Sequence, residues 1–290
     1  MYWLAPSAGL SAATAQTRAP AGDTSAIQID SLTHLPSRYL KTTRTVRVFL
    51  PEDYRRTRLR YPVLYANDGQ DMEALGLVRT LDSLIHRGDI PPVIVVAVHA
   101  SDRRLQEYGT SGEPNAQGLG ADAEGYERFL AEELVPLINR GYRVHRAPEH
   151  TALMGWSLGA LSAFDVAWRH SDVFGMVGAF SGSFWWRTDD STVGDRQASR
   201  IMHRRIRETR SVPALRAWFE AGRSDERDDR DGNGVIDAIQ DTRELMAELE
   251  RKGWETGTRM TYVEVAGGHN PQTWGSVLPD FLRWAFGGKR

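Results

Sequence analysis

Val93-Ile94-Val95-Val96-Ala97-Val98 is an unbroken apolar run, mostly β-branched, and it constrains the fold more than any other segment. A half-buried strand alternates apolar and polar residues, whereas this one has no polar face, so both of its faces must be covered. Strands of that kind belong to parallel sheets lying between layers of helices. Further strand signals fall at 45–50, ending at Pro51, at 61–65, ending in the turn Asn67-Asp68-Gly69, and at 151–154, 176–180, 217–221 and 260–265. Helical spacing lies between them. Tyr126, Phe129, Leu130, Leu134, Leu137 and Ile138 recur behind Asp122 as an expected N-cap. Residues 158–170 read as a small-residue helix with Leu161, Phe164 and Trp168 on one stripe. Asp241 and Glu244 have capping-box spacing before Leu245, Met246 and Leu249, and Phe281, Leu282, Trp284 and Ala285 mark a last helix. Strands alternating with helices predict βαβ units, hence one α/β domain over 27–290 with a mostly parallel sheet and helices on both faces.

Composition removes several function classes. With no cysteine, the chain has no disulfide, zinc ribbon or thiol nucleophile. Its 36 basic and 38 acidic residues leave a net charge of −2, which gives no footprint for nucleic acid. No run of 18 apolar residues occurs, so no spanning helix is expected. Residues 1–26 are rich in Ala, Ser, Thr and Pro without apolar periodicity. Tyr2-Trp3-Leu4-Ala5 and Ala13-Thr14-Ala15 read as the remainder of an export signal, favouring a secreted or periplasmic location.

The strand at 151–154 runs straight into Gly155-Trp156-Ser157-Leu158-Gly159, and a helix opens at once behind it. The pentapeptide occurs by chance in many proteins; between a strand and a small-residue helix it reads as a nucleophile elbow. The turn exposes Ser157 Oγ at the carboxyl edge of the sheet, and the Leu158 N–H faces any oxyanion formed there. A serine needs a base. His269, in Gly267-Gly268-His269-Asn270-Pro271 after the last strand, is the histidine so placed. The acid belongs after the strand between them, where Asp225 is first and Glu226 and Asp228 are rivals. A second oxyanion donor is expected from Asn67-Asp68-Gly69-Gln70-Asp71, with the Gln70 N–H as the candidate.

Trp156, Trp185, Trp186, Trp274, Tyr108 and Arg104 surround this site in the sequence reading. Trp156, Arg104 and Tyr108 are the substrate-binding candidates. Aromatics suit a flat or bulky group, and Arg104 suits an acidic one unless it pairs with Glu107. The plain alternative is that these residues only pack.

Asp229-Arg230-Asp231-Gly232-Asn233-Gly234-Val235-Ile236-Asp237 matches the first nine positions of an EF-hand-type loop. Asp229, Asp231, Asn233 and Asp237 are therefore candidate ligands of a structural calcium ion. Gln240 stands at position 12 in place of the bidentate glutamate, and the alternative is a charged surface loop. Catalysis itself needs no cofactor.

Leu64-Tyr65-Ala66-Asn67-Asp68-Gly69-Gln70, Arg104-Leu105-Gln106-Glu107-Tyr108, residues 129–136, the elbow, Phe180-Ser181-Gly182-Ser183 and Gly267-Gly268-His269 together resemble the Putative esterase family. This is the α/β-hydrolase group that includes enterochelin esterases, esterase D and feruloyl esterases. The resemblance runs from about residue 27 to the C-terminus. It implies an α/β-hydrolase fold without a large lid domain and a serine hydrolase acting on small carboxylic esters. Two positions depart from the family pattern: Ala160 stands where relatives usually carry glycine, and Asp68 where related oxyanion loops have histidine. An acyltransferase using the same triad is the alternative, and a binding protein that has lost catalysis is a third class.

Overall fold

The apolar run becomes β4 (Ile94–Val98), buried along its whole length as its composition requires. In the computed structural model, which describes residues 27–288, it belongs to an eight-stranded sheet. The other strands are β1 (Gln28–Leu35), β2 (Arg44–Leu50), β3 (Val63–Ala66), β5 (Thr151–Trp156), β6 (Met176–Phe180), β7 (Arg216–Ser224) and β8 (Met260–Gly268), in the order β1-β2-β4-β3-β5-β6-β7-β8. The export segment read at 1–26 lies outside the described residues. Strands β3 to β8 are mutually parallel, while β1 and β2 join antiparallel at one edge. The sheet is thus mostly parallel, as the sequence predicts.

The helices are α1 (Leu77–His86), α2 (Arg104–Glu107), α3 (Ala123–Arg128), α4 (Val135–Gly141), α5 (Leu158–Arg169), α6 (Val193–Ala198), α7 (Ile201–Glu208), α8 (Asp237–Arg251) and α9 (Pro271–Phe286). A π-helical stretch, Phe129–Leu134, joins α3 to α4. Successive strand residues point to opposite faces, so the sheet feeds two cores. Ile94, Val96 and Val98 join one, with residues of α3, α4, α5, α7 and α8; Val95 and Ala97 join the other, with α1 and α9. No helix among the described residues is long and apolar enough to cross a membrane.

The sequence offers no strand signal for β1, an edge strand half-buried on one face and exposed on the other. Two expected helix caps need correction. Asp122 does not cap α3: its carboxylate is taken by Lys41, at 2.8 Å, and by Arg103. Asp241 does not cap either. The chain enters α8 at Asp237, so Asp241 lies inside the helix, fully buried, bound by Arg200 and Arg230. The start of α8 is instead met by Glu226, whose carboxylate accepts the Ala238 N–H at 2.5 Å.

The chain leaves β4 on one side of β3 and returns as β5 on the other. Such a reversal of strand order opens a crevice at the carboxyl ends of the strands. The loop after β3 and the turn after β5 are therefore neighbours there.

Candidate active site

Ser157 is held at φ 56°, ψ −130° between β5 and α5. A non-glycine residue in such a region costs about 1–3 kcal/mol unless its surroundings fix it. Three main-chain contacts do so. Its N–H donates to Phe180 O at 2.9 Å, and its carbonyl accepts from Ala160 N at 3.0 Å and Ser183 N at 3.1 Å. The flanking glycines are required by close approach. A Cβ on Gly155 would lie 2.3 Å from Gly159 O, and one on Gly159 would lie 2.6 Å from Asp68 Oδ2. Leu158 opens α5, where the first N–H groups have no partner within the helix.

The neighbouring loop is stitched to this elbow. Asn67 N donates to Met154 O at 2.9 Å, Asn67 Nδ2 donates to Gly159 O at 2.8 Å, and Asn67 Oδ1 accepts the Tyr126 hydroxyl at 2.7 Å. Asp68 adopts a left-handed conformation, φ 53°, and a single 3₁₀ turn, Gly69–Asp71, follows. Gln70 is in the first turn of that helix, so its N–H also lacks an intrahelical partner. Its side-chain carbonyl accepts Ala100 N at 3.0 Å, which fixes the loop against the end of β4.

Arg104 does not pair with Glu107. Its Nε and Nη2 donate to the two oxygens of buried Asp68 at 2.7 and 2.8 Å, a bidentate fork. Glu107 is instead taken by Arg44 and Ser101. Arg104 thus reaches the crevice with much of its charge answered, which weakens the expectation of a free cation for an acidic substrate. Tyr108 and Trp156 are corrected more fully, being 1% and 3% exposed. Tyr108 lies beneath Arg104, 5.0 Å from guanidinium carbon to ring centroid, and its hydroxyl accepts the Asp68 N–H at 3.2 Å. Trp156 donates its Nε1–H to Asp71 at 3.3 Å and stacks on Trp274 at 5.7 Å. Both support the site from below. Trp186 and Trp274 are buried too, whereas Trp185 is half-buried.

His269 follows β8 and stands edge-on to Trp274 at 5.2 Å. Its Nδ1 lies 3.9 Å from Asp225 Oδ1, longer than a hydrogen bond but a separation that catalytic pairs often show without substrate. Burial lowers the imidazole below the ordinary histidine range; Asp225 opposes this and Arg104 adds to it. The ring is consequently a neutral acceptor at neutral pH. The Asp225 side chain is 1% exposed, with Oδ2 accepting Gly222 N at 3.2 Å. Its rival Glu226 serves α8, and burial first, then nearby acidic groups against the Ala238 bond, raises its carboxyl to about 7.

The 229–237 loop folds onto itself. Asp229 accepts the N–H groups of Asn233 at 3.1 Å and Gly234 at 2.8 Å, and Asn233 Oδ1 accepts that of Val235 at 2.8 Å. Asp237 pairs with Arg230 at 3.2 Å. Among the described residues, His203, Asp241 and Glu244 bring ligand atoms within 4.8 Å of one another. Arg200 binds both of those carboxylates and Arg230 binds Asp241, so this group is a salt-bridge network.

A doubly covered parallel sheet with a strained serine elbow, a histidine after the last strand and a carboxylate after the one before defines an α/β-hydrolase. Residues 37–285 match the family model described as "Putative esterase", and the chain belongs to that family of ester hydrolases. It is 22% identical over 251 residues to an uncharacterized protein, YbbA, of Bacillus subtilis strain 168, covering 85% of this chain and 94% of that one. Against the iron(III) enterobactin esterase of Escherichia coli K12 the identity is 27% over 187 residues, 64% of this chain and 43% of the relative. The chain thus spans less than half of that enterobactin esterase. A solved structure of a ferulic acid esterase shares the fold, with TM-score 0.68 and 23% identity over 90% of this chain and 97% of the other.

Proposed function

We propose that this chain cleaves carboxylic esters of compact aromatic acids through a covalent acyl-enzyme. Ser157 is the nucleophile, His269 the general base and Asp225 the acid that orients it. The reading is supported chiefly by the strained Ser157 directly after β5 and the His269–Asp225 pair in the loops after β8 and β7, all at the carboxyl edge of the parallel strands. Ser157 Oγ attacks the ester carbonyl and its proton passes to the imidazole. The resulting oxyanion is met by the N–H groups of Leu158 and Gln70. Collapse expels the alcohol, which leaves with the proton from His269. Water then repeats the sequence on the acyl-serine, releasing the acid. The aromatic preference is supported by half-buried Trp185 beside Ser183, whose N–H binds the Ser157 carbonyl, and by the ferulic acid and enterobactin esterases among the similar proteins.

The test is turnover of aryl-acid esters and straight-chain esters by purified protein, with and without an added alcohol, beside fluorophosphonate labelling. We expect label on Ser157, free aromatic acid as product and slower turnover of long straight chains. Transesterified product outweighing free acid would point to an acyltransferase. Neither label nor turnover would sink the enzymatic reading.

We propose in addition that Asp229, Asp231, Asn233 and Asp237 hold a structural calcium ion. Support comes from glycines at the positive-φ positions the loop needs, Gly232 at 69° and Gly234 at 84°, and from Asp229 gathering the loop N–H groups. The competing cation is Arg230. The ion would order the segment behind Asp225 and take no part in ester cleavage. Millimolar Ca²⁺ should raise Tm of metal-stripped protein and chelator should reverse it, as for any ligand of the native state. Superimposed melting curves would assign the loop to Arg230 alone.

A further inference from the structure

Glu220 is completely buried in β7, opposite Phe180 of β6 and Val263 of β8. Packing alone would favour an apolar residue there, since a buried carboxylate without a cation is costly. Its Oε2 accepts the Ser181 hydroxyl at 3.4 Å, while its Oε1 is buried without a hydrogen-bond partner. Ser181, itself at φ 46°, accepts the Trp274 Nε1–H at 2.8 Å, and Trp274 presents its ring to His269. A line of contacts therefore runs Glu220, Ser181, Trp274, His269. Asp225 approaches from the other end of the same strand face. A Cβ on Gly222, two residues beyond Glu220, would lie 2.6 Å from Asp225 Oδ1, an atom that is also buried without a hydrogen bond. Residues two apart on a strand share a face and stand about 7 Å apart.

We propose that Glu220 is a positioning residue for His269, acting through Ser181 and Trp274. The proposal rests on the reading of His269 as the general base. Glu220 works as the neutral acid. The polar and charged groups that act on it are Asp225 from the loop after β7 and Ser181 from the loop after β6. Trp274 of α9 reaches it only through Ser181, His269 stands beyond Trp274, and Arg104 acts on His269 and on the acidic residues of the loop after β3. With no cation among them, two carboxylates on one buried face do not both ionise cheaply. Burial first, then Asp225, lifts the Glu220 carboxyl to about 8. Because the folded pKa is raised, the folded chain keeps a proton that the unfolded chain has already lost. The associated stability declines as pH climbs from the ordinary carboxyl range to about 8. Above that pH a second buried negative charge loosens the contacts that hold the imidazole.

The experiment measures kcat and KM of the full chain on an aryl ester from about pH 5 to about pH 10. The variants are Glu220→Gln, Glu220→Leu, Trp274→Phe and Ser157→Ala. Glu220→Leu and Trp274→Phe should lose about 10- to 100-fold in kcat with KM little changed, the size of loss that a displaced catalytic group produces. Glu220→Gln, which keeps an acceptor for Ser181 and cannot ionise, should recover most of the wild-type kcat. It should also lack the wild-type fall in rate above about pH 8. Unchanged kcat in Trp274→Phe, or the wild-type alkaline fall persisting in Glu220→Gln, would overturn the proposal even if Glu220→Leu fails to fold. Activity surviving in Ser157→Ala would instead overturn the triad reading beneath it.

Discussion

Ser157→Ala is expected to lower kcat by about 10⁴- to 10⁶-fold, the loss usual for a triad nucleophile. The fold should survive the change. The bonds that hold the elbow, to Phe180, Ala160 and Ser183, are all made by the Ser157 main chain and persist when Oγ is removed. Alanine also adopts the same positive φ at a similar cost, so Tm should be nearly unmoved. What remains should be the background provided by the oxyanion N–H groups and by substrate binding. Steady-state rates with a chromogenic ester, alongside thermal melts, check both halves. A variant keeping more than about a tenth of the wild-type rate would remove Ser157 from the reaction.

The elbow was legible in the sequence because its constraints are local. Strand, glycine spacing and helix all lie within a few residues, and the backbone geometry leaves few alternatives to Gly155 and Gly159. The sheet was legible for the same reason: a run such as 94–98 declares its two buried faces by composition. What sequence reasoning missed depends on partners distant in the chain. Asp122 and Asp241 have good capping chemistry, but Lys41, Arg103, Arg200 and Arg230 claim them in three dimensions. Arg104 has an obvious sequence neighbour in Glu107, yet its partner is Asp68, 36 residues away. By composition Tyr108 and Trp156 suit the walls of a crevice, as aromatics do. Burial of both turned on polar partners in another loop, Asp68 N–H and the Asp71 carboxylate. Glu220 did leave a signal, a lone carboxylate within the otherwise apolar stretch 217–222 of β7, and its burial gives that signal weight.

The triad acid offers the second large effect. Asp225→Asn should reduce kcat by about 10⁴-fold, because an asparagine amide stabilises the wrong imidazole tautomer and no longer compensates the imidazolium. Glu226→Gln should cost little activity. Glu226 Oε1 meets the Ala238 N–H at the start of α8, and a glutamine carbonyl can accept the same bond. The pH profile separates the two further. Burial holds the His269 pKa below its ordinary value of 6.5, so wild-type kcat/KM should rise with pH along a limb centred below 6.5, ahead of the separate fall expected above about 8 as Glu220 ionises. Asp225 is the contribution that raises this pKa, and Arg104 one that lowers it. Removing the aspartate charge should therefore move the limb to still lower pH as the plateau falls. Glu226→Gln should leave the limb in place, since Glu226 is not among the groups that act on the ring. The opposite ranking, with Glu226→Gln the more damaging and its limb displaced, would transfer the orienting role one residue along the chain.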